Sequence, residues 1–563
     1  MIRKLLALSL TSTLVLSGCS SGISSNPAGN GNANTSPVPT VTPTTASAVI
    51  KHVVIIYGEN VSFDHYFGTY PNAANLPGET KFIAAATIPT NISNYTTSPA
   101  LLTANPNLSI ANGAGASNPF RLDPAQAGTA DQDHNYGPEQ TAFDGGKMDL
   151  FPLSVGTPDG TALATATGAS AISNTNGLTM GYYDGNSLTA LWNYAQHYAM
   201  NDHSFGTTFG PSTPGAINLV SGQTNGVINP LNVASAIVAD GNGGFTDIND
   251  ADPTGDLCSS TGSNFSMSGK NVGNLLTTAN ITWGFFEGGF DLTQTNANGT
   301  TGCARSTAAV HIPGNPLKAD YIPHHQPFQY YASTANLNHT RPTSPATVGT
   351  NADPANHQYD MHDFTDALAA GNMPAVSFLK ASGFQDAHAG YSDPLDEQTF
   401  VVNTINAIQS SSFWSSTAII IAYDDSDGWY DHLTDLINGS TTAADSLNGA
   451  GVCISATAAA AALPGVTGTA PAQGRCGHGP RMPLLVISPW ANKNYVDNTI
   501  TDQASITRFI EDTFLSSARL GGGSFDATAG TLNNMFNFTN GAVVPNPNVV
   551  LLSPTTGVVT TGN

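Results

Sequence analysis

Four short apolar runs, rich in β-branched residues, punctuate the chain at residues 53–57, 375–379, 418–423 and 484–488. Their hydrophobicity is nearly unbroken, the pattern of strands covered on both faces. Between the second and third, Phe400, Val401, Ile405 and Ile408 recur at helical spacing within residues 396–413, predicting a strand–helix–strand unit of the parallel kind. Residues 187–199 and 502–514 also read as helices, with Ser187 and Asp502 as N-caps, and residues 215–222 as a short one. These elements predict an α/β fold, a three-layer α/β/α sandwich.

Residues 225–320 depart from this pattern. They are rich in Gly, Asn, Asp and Thr with little periodicity, and are expected to form an inserted cap or loop region over the sheet edge. Within them, Asp247-Ile248-Asn249-Asp250-Ala251-Asp252 fails the EF-hand spacing, because Ala251 stands where a ligand is needed. A solvated loop is expected there. The amino terminus reads as an address: Arg3 and Lys4, an apolar run over residues 5–16, then Leu16-Ser17-Gly18-Cys19, which resembles a lipobox. Residues 1–19 are therefore expected to be a lipoprotein signal with Cys19 lipidated, and polar residues 20–48 a tether. Residues 49–535 form the expected catalytic domain and 536–563 a tail. Ser20 follows the cysteine rather than an inner-membrane-retaining Asp. This predicts an exported cell-envelope lipoprotein, in the outer membrane or periplasm, or a secreted protein.

Composition narrows the partners. Sixteen Lys and Arg face 39 Asp and Glu, for a net charge of −23. Such a chain repels nucleic acid at long range, although a metal ion and a few cations can reverse the potential inside one pocket. Four cysteines remain besides Cys19. In an oxidising compartment they allow three pairings into two disulfides, of which Cys258–Cys303 and Cys453–Cys476 are favoured because each brackets one polar, Gly-rich stretch. No Cys-x-x-Cys spacing supports a zinc site.

Two of the apolar runs end in polar clusters, and open α/β sheets build sites beyond the carboxyl ends of their strands. The first runs into Gly58-Glu59-Asn60 and the third into Asp424-Asp425-Ser426-Asp427. Carboxylates directly after buried strands are costly without partners, and one divalent metal ion held by Glu59, Asn60, Asp424 and Asp425 resolves that cost. Turn formation and helix capping form the competing reading. His134, His324, His325 and His388 lie in polar, turn-like segments and are of the type that contacts phosphate oxygens or protonates leaving groups. Ser212, in Phe209-Gly210-Pro211-Ser212-Thr213-Pro214, precedes the short helix. There it is either an ordinary N-cap or a nucleophile at the positive end of a helix dipole.

Glu59-Asn60-x-Ser62-Phe63-Asp64-His65-Tyr66-Phe67-Gly68 resembles the signature of the bacterial phosphoesterase family that contains phospholipase C and a respiratory-burst-inhibiting acid phosphatase. The similarity continues through Gly145-Gly146-Lys147-Met148-Asp149, Met180–Asp184, Gly210-Pro211-Ser212, His324-His325-Gln326-Pro327-Phe328, Gly390–Pro394 and Asp424-Asp425, over roughly residues 50–515. The resemblance implies an alkaline-phosphatase-like fold. It also implies Glu59, Asn60, Asp424 and Asp425 as metal ligands, Ser212 as a nucleophile at a position holding Ser or Thr, and His134, His324, His325 and His388 as phosphate-contacting and acid–base groups. Many members carry Asp-Glu-His-Gly where this chain has Asp424-Asp425-Ser426-Asp427, so that histidine is absent, Asp427 becomes a candidate extra ligand, and His432 is its nearest substitute in sequence. The implied activity is metal-dependent hydrolysis of phosphoric esters through a phosphoserine. The substrates are phosphate mono- or diesters, phospholipid among them, and the lipid anchor is the membrane contact. A phospholipase C specific for phospholipid head groups and a non-catalytic phosphate-ligand-binding lipoprotein are the alternatives.

Overall fold

The computed structural model describes residues 45–156, 175–239, 244–312, 314, 316–435, 478–538 and 548–562. Cys19, the expected lipobox and the expected Cys453–Cys476 pair lie outside the described residues. Among those described, eight strands build the central sheet: β1 His52–Gly58, β2 Ala199–Asn201, β3 Trp283–Glu287, β4 Gln358–Asp360, β5 Val376–Lys380, β6 Thr417–Tyr423, β7 Leu484–Ile487 and β8 Tyr495–Asp497. Their order is β4-β3-β5-β1-β6-β7-β2-β8. From β4 through β6 neighbouring strands are parallel, with Val53 opposite both Val376 and Ala418. β7 runs antiparallel to β6 and β2. The expected α/β class therefore holds, with a large, mostly parallel sheet.

Alternation along β1 divides the core in two. Val54 and Ile56 join a cluster with Leu191 and Trp192 of helix α1 (Thr189–His197), Phe364 of α4 (Met361–Ala369) and Val401, Val402, Ile405 and Ile408 of α5 (Pro394–Gln409). Val53, Ile55 and Tyr57 face the other way, onto Ile217 and Val220 of α2 (Ser212–Ser221), Val272 and Leu276 of α3 (Val272–Thr278) and Ile506, Phe509 and Ile510 of α6 (Gln503–Phe514). Helices thus cover both faces, and each fully buried aliphatic side chain contributes about 1.5–3 kcal/mol. Asp502 caps α6 as predicted, its side chain accepting the Ser505 N–H. Ser187 does not cap α1: the N-cap position falls on Leu188, with no side-chain cap bond.

The region over 225–320 is not wholly an insert. Its α3 and β3 belong to the sheet and its cover, because Trp283-Gly284-Phe285-Phe286-Glu287 is a fully buried strand too short to stand out among polar neighbours. The remainder builds small accessory sheets, including a hairpin of Ser306–Ala308 with Leu317–Ala319. The Cys258–Cys303 disulfide is present in this region. The Asp-rich piece is not a solvated loop either. Asp247 is buried, the Asp250 carboxylate accepts the Thr213 N–H at 2.8 Å, and Asp252 lies 3.4 Å from His324. Part of the expected tail is built into the domain: Val550–Leu552 and Val559–Gly562 pair as a hairpin, and Val550 and Leu552 are buried on the α5 side. Among the described residues, no helix is long and apolar enough to cross a membrane.

Candidate active site

β1, β3, β5 and β6 are parallel, so their carboxyl ends meet at one edge of the sheet. β1 delivers Glu59 and Asn60, and β6 delivers Asp424 and Asp425. Asn60 takes a left-handed conformation (φ 54°), which asparagine tolerates better than most residues and which turns the chain sharply off the strand. Its backbone N–H donates to Asp424 Oδ1 at 3.1 Å, so the two strand ends are tied directly.

Helix α2 closes the site from the other side. A Cβ on Gly215 would lie 2.3 Å from the Asp424 carbonyl oxygen, so only glycine lets the first turn of α2 approach the end of β6 this closely. The Tyr57 hydroxyl donates to the Gly215 carbonyl at 3.0 Å. The N-cap of α2 is Pro211, not Ser212, and Ser212 makes no capping bond. Its hydroxyl instead lies 3.0 Å from Glu59 Oε2 and 3.2 Å from Asp425 Oδ2. One proton serves only one of these acceptors at a time. The capping interpretation of Ser212 is thereby excluded.

The histidines divide. His325 is buried with Nδ1 3.2 Å from Glu59 Oε1. His134 and His388 pack edge to face, 5.9 Å apart, on the far side of Asn60. His324 stays on the rim, 26% exposed, beside Asp252 and Asp250. Burial holds His325 and His388 well below the usual histidine range. For His134 burial also opposes protonation, but Asp425, Asp131 and Asp427 outweigh it and raise its pKa. Asp427 lies 3.6 Å from His134 Nδ1. His432 is elsewhere: its Nδ1 contacts Asp64 at 2.6 Å, in a buried network with Arg481 and Asp431. Ser426 donates to Glu139, whose other carboxylate oxygen accepts the Gly210 N–H. That position thus ties the β6 loop to the loop before α2.

Sequence reasoning missed two lysines. Lys380, the last residue of β5, is buried and paired with Glu59, with Asp424 Oδ2 3.6 Å away. Those carboxylates and Asp386 hold it charged against burial. A lysine closing an apolar strand was the available signal. Lys318, on the accessory hairpin, lies 3.6 Å over the Tyr391 ring and carried no signal in its own segment.

The donor set fits a hard cation. Asp424 Oδ2 and Asp427 Oδ2 are buried without hydrogen-bond partners. Burial, and then Asp424, push Glu59 and Asp425 well above the usual carboxylate range, so the one ammonium of Lys380 does not balance the carboxylates gathered here. One end of the Asn60 amide lies 2.6 Å from Glu59 Oε2 and 3.2 Å from Asp424 Oδ1, and the other 3.1 Å from His388 Nε2. With its nitrogen inward the amide donates to both carboxylates. With its oxygen inward three oxygens converge, an arrangement that a bound cation stabilises.

The Phosphoesterase family model matches residues 50–515, and the chain belongs to that family. The non-hemolytic phospholipase C of Pseudomonas aeruginosa is 31% identical over 182 residues, covering 31% of this chain and 25% of that protein. The non-hemolytic phospholipase C of Burkholderia pseudomallei is 28% identical over 207 residues, 35% of this chain and 27% of the relative. The match thus spans about a quarter of the length of either enzyme. Phospholipase C B of Mycobacterium tuberculosis is 22% identical over 510 residues, 88% of this chain and 79% of the relative.

Proposed function

We propose that this protein hydrolyses phosphoric esters with one divalent metal ion and Ser212 as nucleophile, on a three-layer α/β/α fold of the alkaline-phosphatase-like kind. The observation that carries the reading is the Ser212 hydroxyl. It stands in the first turn of a ten-residue helix and faces Glu59 and Asp425 instead of capping. The positive end of the helix dipole favours an incoming phosphate there.

A divalent ion held by Glu59, Asn60, Asp424 and Asp425 would neutralise phosphate charge and ease deprotonation of Ser212. Ser212 Oγ passes its proton to a neighbouring carboxylate and forms a bond to phosphorus as the ester P–O bond breaks. His134 gives its proton to the departing alkoxide. Water then attacks the phosphoserine, giving a proton to His134, and the carboxylate returns its proton to Ser212 Oγ as the P–Oγ bond breaks. His325 and His388, held neutral by burial, orient Glu59 and Asn60: the single N–H of His325 points at Glu59, and the unprotonated nitrogen of His388 faces the Asn60 amide. His324 acts from the rim.

The phospholipase C names of the relatives favour phospholipid as one substrate, and a lipid anchor at Cys19 would keep the enzyme on an envelope membrane. Release of phosphate from p-nitrophenyl phosphate by protein lacking residues 1–48 tests the reading. Turnover should be lost with chelator and restored by divalent metal. Asp424→Asn should reduce metal content and activity together. Full activity after complete metal removal would eliminate the metal's role. Stoichiometric phosphate binding without turnover would favour a non-catalytic binding protein.

A further inference from the structure

Lys318 belongs to the strand Leu317–Ala319, where it sits opposite Thr307 in the hairpin, and its stem runs beside Gly383. Its ammonium lies 3.6 Å from the centre of the Tyr391 ring. That ring stacks on His388 at 4.2 Å, and His388 Nε2 is 3.1 Å from the Asn60 amide. A column thus runs from the accessory hairpin to the end of β1: Lys318, Tyr391, His388, Asn60. Lys380 is neutralised by Glu59 and Asp424, whereas Lys318 makes no ion pair among the described residues. It nonetheless feels Asp386, Asp131, Glu59 and Asp250, and its own charge acts on both His325 and His388. A half-buried cation without a counter-ion, at the end of a column that leads to Asn60, is stabilised through space when an anion enters the site.

We propose that Lys318 sets substrate choice, favouring phosphate monoesters, whose second negative charge it attracts, over diesters carrying a quaternary-ammonium head group. This rests on the phosphoester reading above. Two physical effects act in the same direction. An ammonium already covers the Tyr391 face that a trimethylammonium group would otherwise use, and the like charge repels it. A monoester dianion gains a charge–charge attraction that a zwitterionic diester lacks.

The test compares p-nitrophenyl phosphate with p-nitrophenylphosphorylcholine, using wild type, Lys318→Met and Lys318→Arg. Methionine preserves the stem's packing, and arginine preserves the charge. Wild type should prefer the monoester. Lys318→Met should raise its KM about tenfold with little change in kcat, while phosphorylcholine-ester cleavage holds or improves. Lys318→Arg should retain the wild-type preference. Inhibition of wild type, which needs no variant to fold, should be stronger with inorganic phosphate than with phosphocholine. Equal inhibition by the two, or an unchanged KM ratio in a folded Lys318→Met, overturns the role of Lys318 alone. Failure of wild type to cleave any phosphoester overturns the hydrolase reading and the selectivity with it.

Discussion

At the scale of single residues, Ser212 separates catalytic from structural demands. Because Pro211 occupies the N-cap position, Ser212→Ala removes no cap. It removes one hydroxyl shared between Glu59 and Asp425, a change of about 1 kcal/mol in stability. Turnover should fall by several orders of magnitude, since the adjacent Thr213 hydroxyl has neither contact. Thermal unfolding and steady-state rates measured on the same preparation check this. A variant that keeps most of its rate would assign the attack to water. Labelled substrate quenched in acid should leave phosphate on the peptide containing Ser212. In the sequence, Ser212 reads either as a nucleophile or as a cap. Only the direction of the side chain, set where β1, β6 and α2 converge, separates the two.

At the scale of elements, two connections make different predictions. Glu397 of α5 reaches across to the sheet, accepting hydrogen bonds from Tyr423 of β6 at 2.6 Å and from Tyr66 at 3.0 Å. Burial still pushes its pKa up to about 8, from an ordinary 4.5. The folded protein therefore keeps a proton that the unfolded chain has released. The corresponding stability is full below pH 4.5 and is lost as pH rises through about 8. Glu397→Gln should flatten this alkaline loss, measured by urea unfolding across that range. An identical slope in the variant would show that Glu397 does not carry it. The Cys258–Cys303 bridge closes a loop with a sequence separation of 45, for which chain entropy gives roughly 4 kcal/mol. A Cys258→Ser, Cys303→Ser double variant should unfold at a clearly lower temperature than wild type. An unchanged midpoint would mean that the accessory region is held by its sheets alone.

For the whole molecule, the remaining prediction concerns attachment. Cys19→Ser should move the protein out of the membrane fraction or leave its signal unprocessed, because lipid attached to Cys19 is the proposed anchor. Unchanged membrane fractionation would refute lipidation at Cys19. Beyond that, the sequence by itself determined the α/β class, four strands of the central sheet, helices α5 and α6, and the two clusters at the ends of β1 and β6. These follow from local properties: unbroken apolar runs, helical periodicity, capping residues and polar residues placed after buried strands. What the tertiary structure alone decided depends on contacts between segments far apart in the chain. Trp283–Glu287 joins the sheet because β4 and β5 pair with it, not because five residues announce a strand. Asp250 caps α2, and Lys318 is carried to Tyr391, by an accessory region whose own sequence has little periodicity. Lys380 meets Glu59 only because β1 and β5 are neighbours and parallel, so their ends coincide. His432, close to the site in sequence, is drawn away by Asp64 and Arg481. Local patterning specifies elements, whereas the direction of a side chain and its charged partner are fixed only when separate elements share one edge.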